Sequence, residues 1–415
     1  MSNPAVDLGV VVRSQRIADP GALLPLVPGP DGVAWVHHGD GMVGWGRAAE
    51  ISVSGADRFA EAQRWWDALT AGAVVRDEVD VPGSGLVAFG SFTFSDRTEA
   101  TSTLVVPEVV VGRRGDDTWV TVVGSGLAVP PELTEHEVPV QPAPELREGA
   151  VDGEAWQHLV ADAVARIARG DLDKVVLARD LVATLPTRLD TRAPLTRLAA
   201  DYPTCWTFQV DGFFGSTPEM LVRLERGLVT SRVLAGTIRR TGDDTHDLAL
   251  AGSLARSSKD LEEHEYAVRS VAEALAPHCT GMNVPEAPFV LHLPNVMHLA
   301  TDVTGVVRSD AGALTLTAAL HPSAAVGGTP TDAAVALIDE IEGLDRGRYA
   351  GPVGWIGARG DGEWGIGLRS AQVGADGTTV RLFAGCGIVA DSDPADELAE
   401  SDAKLIPVRD ALTPR

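Results

Sequence analysis

The sequence is poor in cysteine and in positive charge, and each shortage excludes a class of function. Its 415 residues contain three cysteines and no C-x-x-C pair, so neither a zinc site nor a disulfide framework is predicted. Acidic residues number 58 against 34 basic residues, which gives a formal net charge of −24. Nucleic acids and anionic membranes bind basic surfaces, so neither is expected as a partner. An anionic small molecule stays open, because it needs only a local cationic pocket.

Several other signals are missing. No apolar run reaches the length of a membrane span, and the stretch MSNPAVDLGVVV lacks the basic start of a signal peptide. We therefore expect a protein of the reducing cytoplasm. P-loop, HExxH and GxSxG motifs are absent. A G-x-G-x-x-G string does run from Gly39 to Gly44, but the residues after it are typical of a strand, so a β-hairpin is predicted rather than a dinucleotide site.

Composition and periodicity divide the chain into three regions. Residues 1–130 alternate short apolar stretches with glycine-rich turns and predict mostly strands, including one over residues 103–111. Residues 131–150 are rich in proline and are interpreted as a connection. Residues 151–415 mix helices with strands. Three antiparallel strands are expected near the end, over residues 349–358, 363–373 and 379–384, with Arg369 inside the middle one.

The stretch from residue 384 to residue 404 holds the densest group of candidate residues. Gly385 and Gly387 predict a sharp turn with accessible N–H groups. The pair Asp393-Pro394 then predicts the start of a helix, which carries Glu397, Glu400 and Lys404 along one face. A turn, two carboxylates and one ammonium suit a small anionic ligand held partly through a metal. A solvated acidic helix is the alternative interpretation of this stretch taken alone.

Other candidates lie further upstream. Lys174 begins an apolar strand, where it is either a lysine that extends to solvent or a desolvated base. Glu219 stands between Pro218 and Met220, and apolar surroundings would raise its pKa and suit a general acid. Taken singly, such a glutamate is more often a surface residue. Glu263 lies beside the packed face of a predicted helix, where it could line a cleft or pair with Lys259.

Nine strings in combination resemble one known family, the chorismate-utilising enzymes. The resemblance covers about residues 150–415, and the first 130 residues are similar only loosely, at LVAFGSFTFSD. It implies an α+β fold in which two large antiparallel β-sheets pack together with helices on the outside. The strings are KVVLAR, GSTPEML, LAGT, SSKDLEEH, MHLAT, HPSAAVGGTPT, RGRYAGPVGW, GLRSA and AGCGI with ELAESDAK.

The resemblance also implies a role for each matched residue. Lys174 matches the base that deprotonates water for attack at C2 of the ring, and Glu219 matches the acid that protonates the departing C4 hydroxyl. The implied cofactor is Mg²⁺, an ion that prefers oxygen ligands, and its matched residues are Glu263 and Glu400 as ligands with Glu397 and Asp260 near its waters. The matched substrate contacts are Gly236, Thr237, His298, Ala325, Val326, Tyr349, Arg369, Gly385, Gly387 and Lys404. His298 on its own would be interpreted as a core residue.

Within the family, the sequence is most similar to members that form isochorismate. Ala235 stands where aminodeoxychorismate synthases have a lysine, and Lys174 is present although ammonia-using members usually lack it. Thr331 replaces a lysine in the loop of those aminating enzymes. Ala325-Val326 resembles the isochorismate type, since salicylate synthases often have a threonine there.

The expected function is therefore Mg²⁺-dependent isomerisation of chorismate to isochorismate by a monomer that needs no partner protein. The strings HPSAAVGGTPT and RGRYAGPVGW favour the menaquinone pathway over a siderophore pathway. Salicylate synthase, an aminating synthase subunit and a non-catalytic metabolite-binding protein are the alternatives. Asp260 stands where some members have glutamate, which leaves the outer surroundings of the metal open.

Overall fold

The computed structural model describes residues 9–126, 129–292, 296–309 and 311–414, with the backbone alone at residues 237, 259 and 263. This part of the chain forms two β-sheets and eight α-helices. Every described strand pairing is antiparallel except the one between residues 11–14 and residues 74–77. The expected α+β fold with two packed antiparallel sheets is confirmed. The helices are α1 (Arg58–Gly72), α2 (Gly153–Ala168), α3 (Arg192–Asp201), α4 (Asp244–Leu254), α5 (Ser258–Leu275), α6 (Ala313–Leu320), α7 (Thr331–Ile341) and α8 (Pro394–Leu412).

The first sheet has 13 strands, in the order β10-β11-β23-β22-β13-β12-β2-β3-β8-β9-β1-β5, with β19 also paired to β11. These strands are β1 (Val11–Arg16), β2 (Val33–His37), β3 (Asp40–Trp45), β5 (Val74–Asp77), β8 (Val109–Arg114), β9 (Asp117–Gly124), β10 (Glu145–Glu148), β11 (Lys174–Thr184), β12 (Trp206–Val210), β13 (Phe213–Thr217), β19 (Gly328–Thr329), β22 (Ser370–Val373) and β23 (Thr379–Ile388).

The second sheet has 10 strands, in the order β16-β18-β15-β14-β21-β20-β6-β7-β4, with β17 also paired to β18. These strands are β4 (Ala49–Val53), β6 (Val87–Ser91), β7 (Ser102–Val106), β14 (Met220–Glu225), β15 (Leu228–Arg239), β16 (Cys279–Asn283), β17 (Phe289–His292), β18 (Val296–Val307), β20 (Pro352–Gly357) and β21 (Gly362–Ile366).

Strands from the first 130 residues complete both sheets. Trp35 of β2 lies opposite Phe208 of β12, and Phe89 of β6 lies opposite Trp355 of β20. All four side chains are buried in one apolar cluster between the sheets. Burying a large apolar side chain contributes about 1.5–3 kcal/mol, so this cluster ties the early strands firmly to the later ones.

The expected hairpin around Gly39 is confirmed. Strands β2 and β3 pair with His37 opposite Asp40, which leaves His38 and Gly39 as a two-residue turn. Both turn residues have a positive φ, 51° and 83°, as a type I′ hairpin turn requires. The strand expected over residues 103–111 is wrong, because it divides into β7 and β8 around Pro107, which has no N–H to give to a strand ladder.

The strand expected over residues 363–373 is also wrong, and its interruption matters for the site. Strand β21 belongs to the second sheet and β22 to the first, so the chain crosses between sheets over residues 367–369. Gly367 packs so tightly on Phe213 that a Cβ would lie 2.7 Å from the ring, and Arg369 has a φ of 47°. Strands that switch sheets form the corners of packed sheets. Arg369 therefore lies at a corner and not within a strand.

Helices flank the sheets, and helix α8 lies against β23 and α2. Its start is confirmed: Asp393 is the N-cap, and its carboxylate accepts hydrogen bonds from the N–H groups of Ala395 and Asp396 over 2.9 and 3.1 Å. Among the described residues, none of the helices combines the length and the apolar composition needed to cross a membrane.

Candidate active site

A cavity of about 700 Å³ opens between α5, the loop of residues 321–330 and the start of β11. Lys174 and Glu219, the two residues matched to acid–base roles, both line this cavity. Ala325 lines it as well. A volume of several hundred Å³ is typical of a site for a small organic ligand.

Glu219 lies at a second corner, between β13 of the first sheet and β14 of the second. Its N–H donates to Thr217 Oγ1 over 3.2 Å, and its carbonyl accepts from the N–H of Ile366 over 3.0 Å. Burial raises the pKa of the Glu219 carboxyl to about 7, although the positive charges of Lys174, Arg369 and Lys404 act in the opposite direction. Near neutral pH a large fraction of this carboxyl therefore keeps its proton.

Lys174 is the first residue of β11, where its backbone pairs with Thr329. The strand β23 runs along the other side of β11, with Gly387 opposite Val176. A Cβ on residue 387 would lie 2.9 Å from Lys174 Cε, so the lysine stem lies directly over this glycine. Glycine at position 387 thus provides the space in which the Lys174 side chain lies.

The sharp turn expected at Gly385 and Gly387 is wrong. Both glycines belong to β23, which continues to Ile388, and they pair with Ala178 and Val176 of β11. The two glycines leave space for neighbouring side chains and do not form a turn. A Cβ on Gly385 would lie 3.1 Å from the hydroxyl of Tyr349.

Tyr349 and Val326, two residues matched to substrate contacts, are buried. The Tyr349 ring stacks on Phe383 with centroids 5.1 Å apart, and burial raises the pKa of its hydroxyl well above the usual value. Val326 packs in the core, and its carbonyl accepts a hydrogen bond from Arg346 over 3.0 Å. Ala325 therefore lines the cavity, whereas Val326 packs in the core on the opposite side of the loop.

The charge of Arg369 acts on several groups of the site. Burial and, to a smaller extent, the charge of Arg369 lower the pKa of His298 to about 4, so the imidazole is neutral at neutral pH. The same guanidinium acts on the pKa of Glu219 and of Glu400. These three groups come from a sheet corner, a strand and helix α8, and the fold gathers them around one arginine.

Gly236 forms a bulge where β15 runs beside β18. The register shifts between Ala235 and Thr237, and Gly236 has a φ of 75°, a conformation that favours glycine. A Cβ at this position would lie 3.2 Å from Cβ of Asp260, in the first turn of α5. The bulge thus brings the strand close to Asp260. The side chains of Thr237 and Glu263 lie outside the part of the chain that the structure describes.

Two glutamates of α8 form the candidate metal site. Ligand atoms of Glu397, Glu400 and Cys386 all lie within 4.8 Å of one another. Burial raises the pKa of Glu397, the neighbouring charge of Glu400 raises it further, and a 2.8 Å hydrogen bond from Ser392 Oγ opposes this effect. Two repelling carboxylates gain from a hard cation near them, so Glu397 and Glu400 fit Mg²⁺. The Cys386 thiol does not fit this ion, because sulfur is a soft ligand.

Lys404 completes the face of α8 that the sequence predicted. Its Nζ lies 2.7 Å from Glu400 Oε1 and donates to the carbonyl of Gly385 over 3.0 Å. Burial would raise the pKa of Glu400, but Lys404, with Arg239 and Arg369, holds it below the usual value. Glu400 is therefore ionised and ready to act as an anionic ligand.

Sequence reasoning missed Cys386 and the buried pair of Glu342 and Arg346. Burial raises the pKa of the Cys386 thiol to about 12, and the protonated sulfur donates to the carbonyl of Glu397 over 3.4 Å. The signal for Cys386 is the strand, because side chains alternate along a strand. Predicting a strand through residue 387 would have placed Cys386 on the face opposite Gly385 and Gly387.

Known proteins are similar to this chain over most of its length. The sequence profile described as "Chorismate binding enzyme" matches residues 35–413. The isochorismate synthase MenF of Bacillus subtilis is 31% identical over 407 residues, which cover 89% of this chain and 85% of that protein. The salicylate biosynthesis isochorismate synthase of Pseudomonas aeruginosa is 34% identical over 402 residues, which cover 89% and 82%.

A solved structure has the same fold. The menaquinone-specific isochorismate synthase MenF of Escherichia coli superposes with a TM-score of 0.81, covering 97% of this chain and 95% of that one. Its sequence identity is 24%, so this likeness concerns the fold alone.

Proposed function

The chain belongs to the chorismate-binding enzyme family, and from that membership we propose that it is an isochorismate synthase that requires Mg²⁺. The observation that carries the proposal is the pairing of Lys174 with Glu219 on one cavity, with the pKa of Glu219 raised to about 7. Relatives that are 31% and 34% identical over most of the chain have names that include isochorismate synthase.

The reaction exchanges a hydroxyl between two ring carbons. A water oxygen bonds to C2 as the ring double bonds shift, and the C4 hydroxyl departs as water once it is protonated, so substrate and product have the same composition. Lys174 takes the proton of the attacking water, and Glu219 gives a proton to the leaving hydroxyl. Each transfer contributes on the order of 10²–10⁴ to the rate.

Glu219 is suited to the acid role because its carboxyl is neutral in a large fraction of molecules near pH 7. Lys174 is suited to the base role because it lies at the end of an apolar strand and lines the same cavity. In the proposed reaction the two groups act at different ring carbons, which requires them to lie on opposite sides of the ring.

Glu263 and Glu400 would hold the metal as ligands, with Glu397 and Asp260 near its waters. Mg²⁺, when bound, supplies a positive charge that holds the ring carboxylate of chorismate. Arg369 and Lys404 provide further positive charge for the carboxylates of the substrate. Gly236, Thr237, Gly385, Gly387, Ala325 and Tyr349 would surround the substrate, and neutral His298 would face its enolpyruvyl side.

The proposal also covers the oligomeric state, the cellular location and the pathway of the enzyme. We propose that it is a monomeric cytoplasmic protein, that it needs no second protein, and that its product enters the menaquinone pathway. Strings of the 321–330 loop and of residues 346–355 support the pathway, as do relatives named MenF.

Product analysis tests the proposal. Purified protein incubated with chorismate and Mg²⁺ is expected to give isochorismate until an equilibrium is reached, and isochorismate should give chorismate in return. Formation of salicylate with pyruvate would favour the salicylate synthases of the family. Mg²⁺ binding without any turnover would favour a non-catalytic binding protein.

A further inference from the structure

A buried ion pair outside the proposed catalytic groups fills a gap at the edge of strand β11. Strand β23 covers one edge of β11 along ten residues. On the other edge, β19 pairs with residues 174–175 and β10 with residues 181–184, and backbone bonds join the N–H of Val176 to Gly327 and the carbonyl of Asp180 to Gly149. Among the described residues, no strand pairs with the carbonyl of Val176 or the N–H of Ala178 on this edge. Glu342 and Arg346 lie beside this gap, with 1% and 4% of their surfaces exposed.

The two side chains bind the backbone as a neighbouring strand would. Arg346 Nη2 donates to the carbonyl of Val176 over 2.6 Å, and Glu342 Oε2 accepts from the N–H of Ala178 over 2.8 Å. Arg346 Nε and Nη2 both donate to Glu342 over 2.6 Å, which locks the pair together. Buried backbone groups need such partners, so the pair replaces the missing ladder bonds.

The same arginine also binds the backbone of the 321–330 loop. Arg346 Nη1 donates to the carbonyl of Val326 over 3.0 Å, and Val326 follows Ala325, which lines the cavity. The guanidinium also lies over the ring of Phe94, 4.3 Å from its centroid. Val176 stands two residues after Lys174, so one guanidinium joins the strand that carries Lys174 to the loop of residues 321–330.

Stability alone is a weak reason for such a pair. Desolvating two charges costs so much that apolar residues of similar volume often serve equally well. Apolar side chains could not, however, hold the carbonyls of Val176 and Val326 and the N–H of Ala178 at once. We propose that Glu342 and Arg346 are positioning residues, which fix Lys174 and the 321–330 loop relative to each other; this rests on the proposed isochorismate synthase activity.

The variant Arg346→Gln tests the proposal, with Arg192→Gln as the matched control. Arg192 is also a buried arginine, bound to Asp190 over 2.5 Å and to the carbonyl of Val27 over 3.2 Å. It does not line the cavity, and these bonds reach neither β11 nor the 321–330 loop. Misplacing a catalytic group by about 1 Å can cost 10²-fold, so Arg346→Gln should lower kcat by about ten- to a hundredfold. KM for chorismate should change less than kcat, since Arg369 and Lys404, which would bind the carboxylates of the substrate, remain in place.

A second readout does not depend on turnover. The chain has three lysines, Lys174, Lys259 and Lys404, so protein labelled with ¹³Cε-lysine gives three side-chain signals, and Lys174→Arg assigns one of them. Arg346→Gln should move the Lys174 signal and leave the Lys404 signal in place, whereas Arg192→Gln should move neither.

The proposal is overturned if folded Arg346→Gln keeps kcat within about twofold of the wild type, if its Lys174 signal does not move, or if Arg192→Gln lowers kcat equally. Should Arg346→Gln fail to fold, Glu342→Gln, which keeps an acceptor for Ala178, is judged by the same readouts. If the wild type forms no isochorismate, the proposed function fails, and the Lys174 signal alone then decides the positioning role.

Discussion

The N–H of Ile366 donates a hydrogen bond over 3.0 Å to the carbonyl of Glu219, and this bond joins two neighbouring points at which the chain crosses between the sheets. One crossing carries Glu219 between β13 and β14, and the other carries Arg369 between β21 and β22. The strands on both sides of these crossings pair with each other, β13 with β22 and β14 with β21. The acid and the arginine are therefore held by two sheets at once.

Replacing the acid should stop the reaction without unfolding the protein. In Glu219→Gln the side chain keeps its size but has no acidic proton, so we expect kcat to fall by about 10²–10⁴-fold. Rates of isochorismate formation measure the loss, and circular dichroism checks the fold. Glu225→Gln at the last residue of β14, where the side chain is half-buried and paired with Arg114, is the control. A Glu219→Gln enzyme as active as this control would contradict the acid role.

The pH dependence of stability provides a test that needs no substrate. The pKa of Glu219 is raised from 4.5 to about 7 in the folded protein, so between these values the folded chain binds the proton more tightly than the unfolded chain. The contribution of this group to the free energy of unfolding is thus present below pH 4.5 and is lost as pH rises through about 7. Glu219→Gln should remove this loss.

Urea midpoints of the wild type and of Glu219→Gln across this pH range isolate the contribution of the one group. As pH rises, the urea midpoint of the variant should increase relative to the midpoint of the wild type. Activity should follow the same carboxyl and decline above about pH 7 as the acid ionises. A difference in midpoint that stays constant with pH would show that the pKa of Glu219 is not raised.

The metal site predicts a change in Mg²⁺ affinity. Glu400→Gln and Glu263→Gln each remove a charged oxygen ligand, and Glu397→Gln removes a negative charge near the waters of the metal. We expect weaker Mg²⁺ binding in calorimetric titrations and a higher Mg²⁺ concentration at half-maximal activity. Asp410→Asn, near the far end of α8 and exposed, is the control. Unchanged Mg²⁺ affinity in all three glutamine variants would rule out this site.

Much of this arrangement is visible in the sequence, and the remainder depends on pairing between distant segments. Helical spacing predicts that Glu397, Glu400 and Lys404 share one face of α8, and the turn residues predict the hairpin at Gly39. The break at Arg369 could not be predicted, because residues 363–373 have the local pattern of one strand, and the crossing is set by Phe213 packing on Gly367. The gap in β11 that Arg346 fills is equally invisible, since it depends on where β10 and β19 pair.

Adding one methyl group beside Lys174 should disturb the proposed base. In Gly387→Ala the new Cβ would lie 2.9 Å from Lys174 Cε, the flexible part of the side chain, so the lysine moves while the strand stays. We expect kcat to fall by about tenfold or more, with a small change in melting temperature. Gly281→Ala is the matched control, because a Cβ there meets nothing within 4 Å. Equal kcat values for the two variants would contradict the proposed place of Lys174.

The last prediction concerns the nucleophile. Lys174 is present to deprotonate water, and Ala235 and Thr331 stand where the aminating members of the family have lysines. Chorismate and Mg²⁺ in ¹⁸O-labelled water should therefore give isochorismate that carries the label at C2, without ammonia or a second protein. Lys174→Ala should abolish incorporation while chorismate binding stays within about tenfold, because its loss removes the base and leaves the other contacts. Unlabelled product, or turnover that begins only when ammonia is added, would overturn the assignment of water as nucleophile.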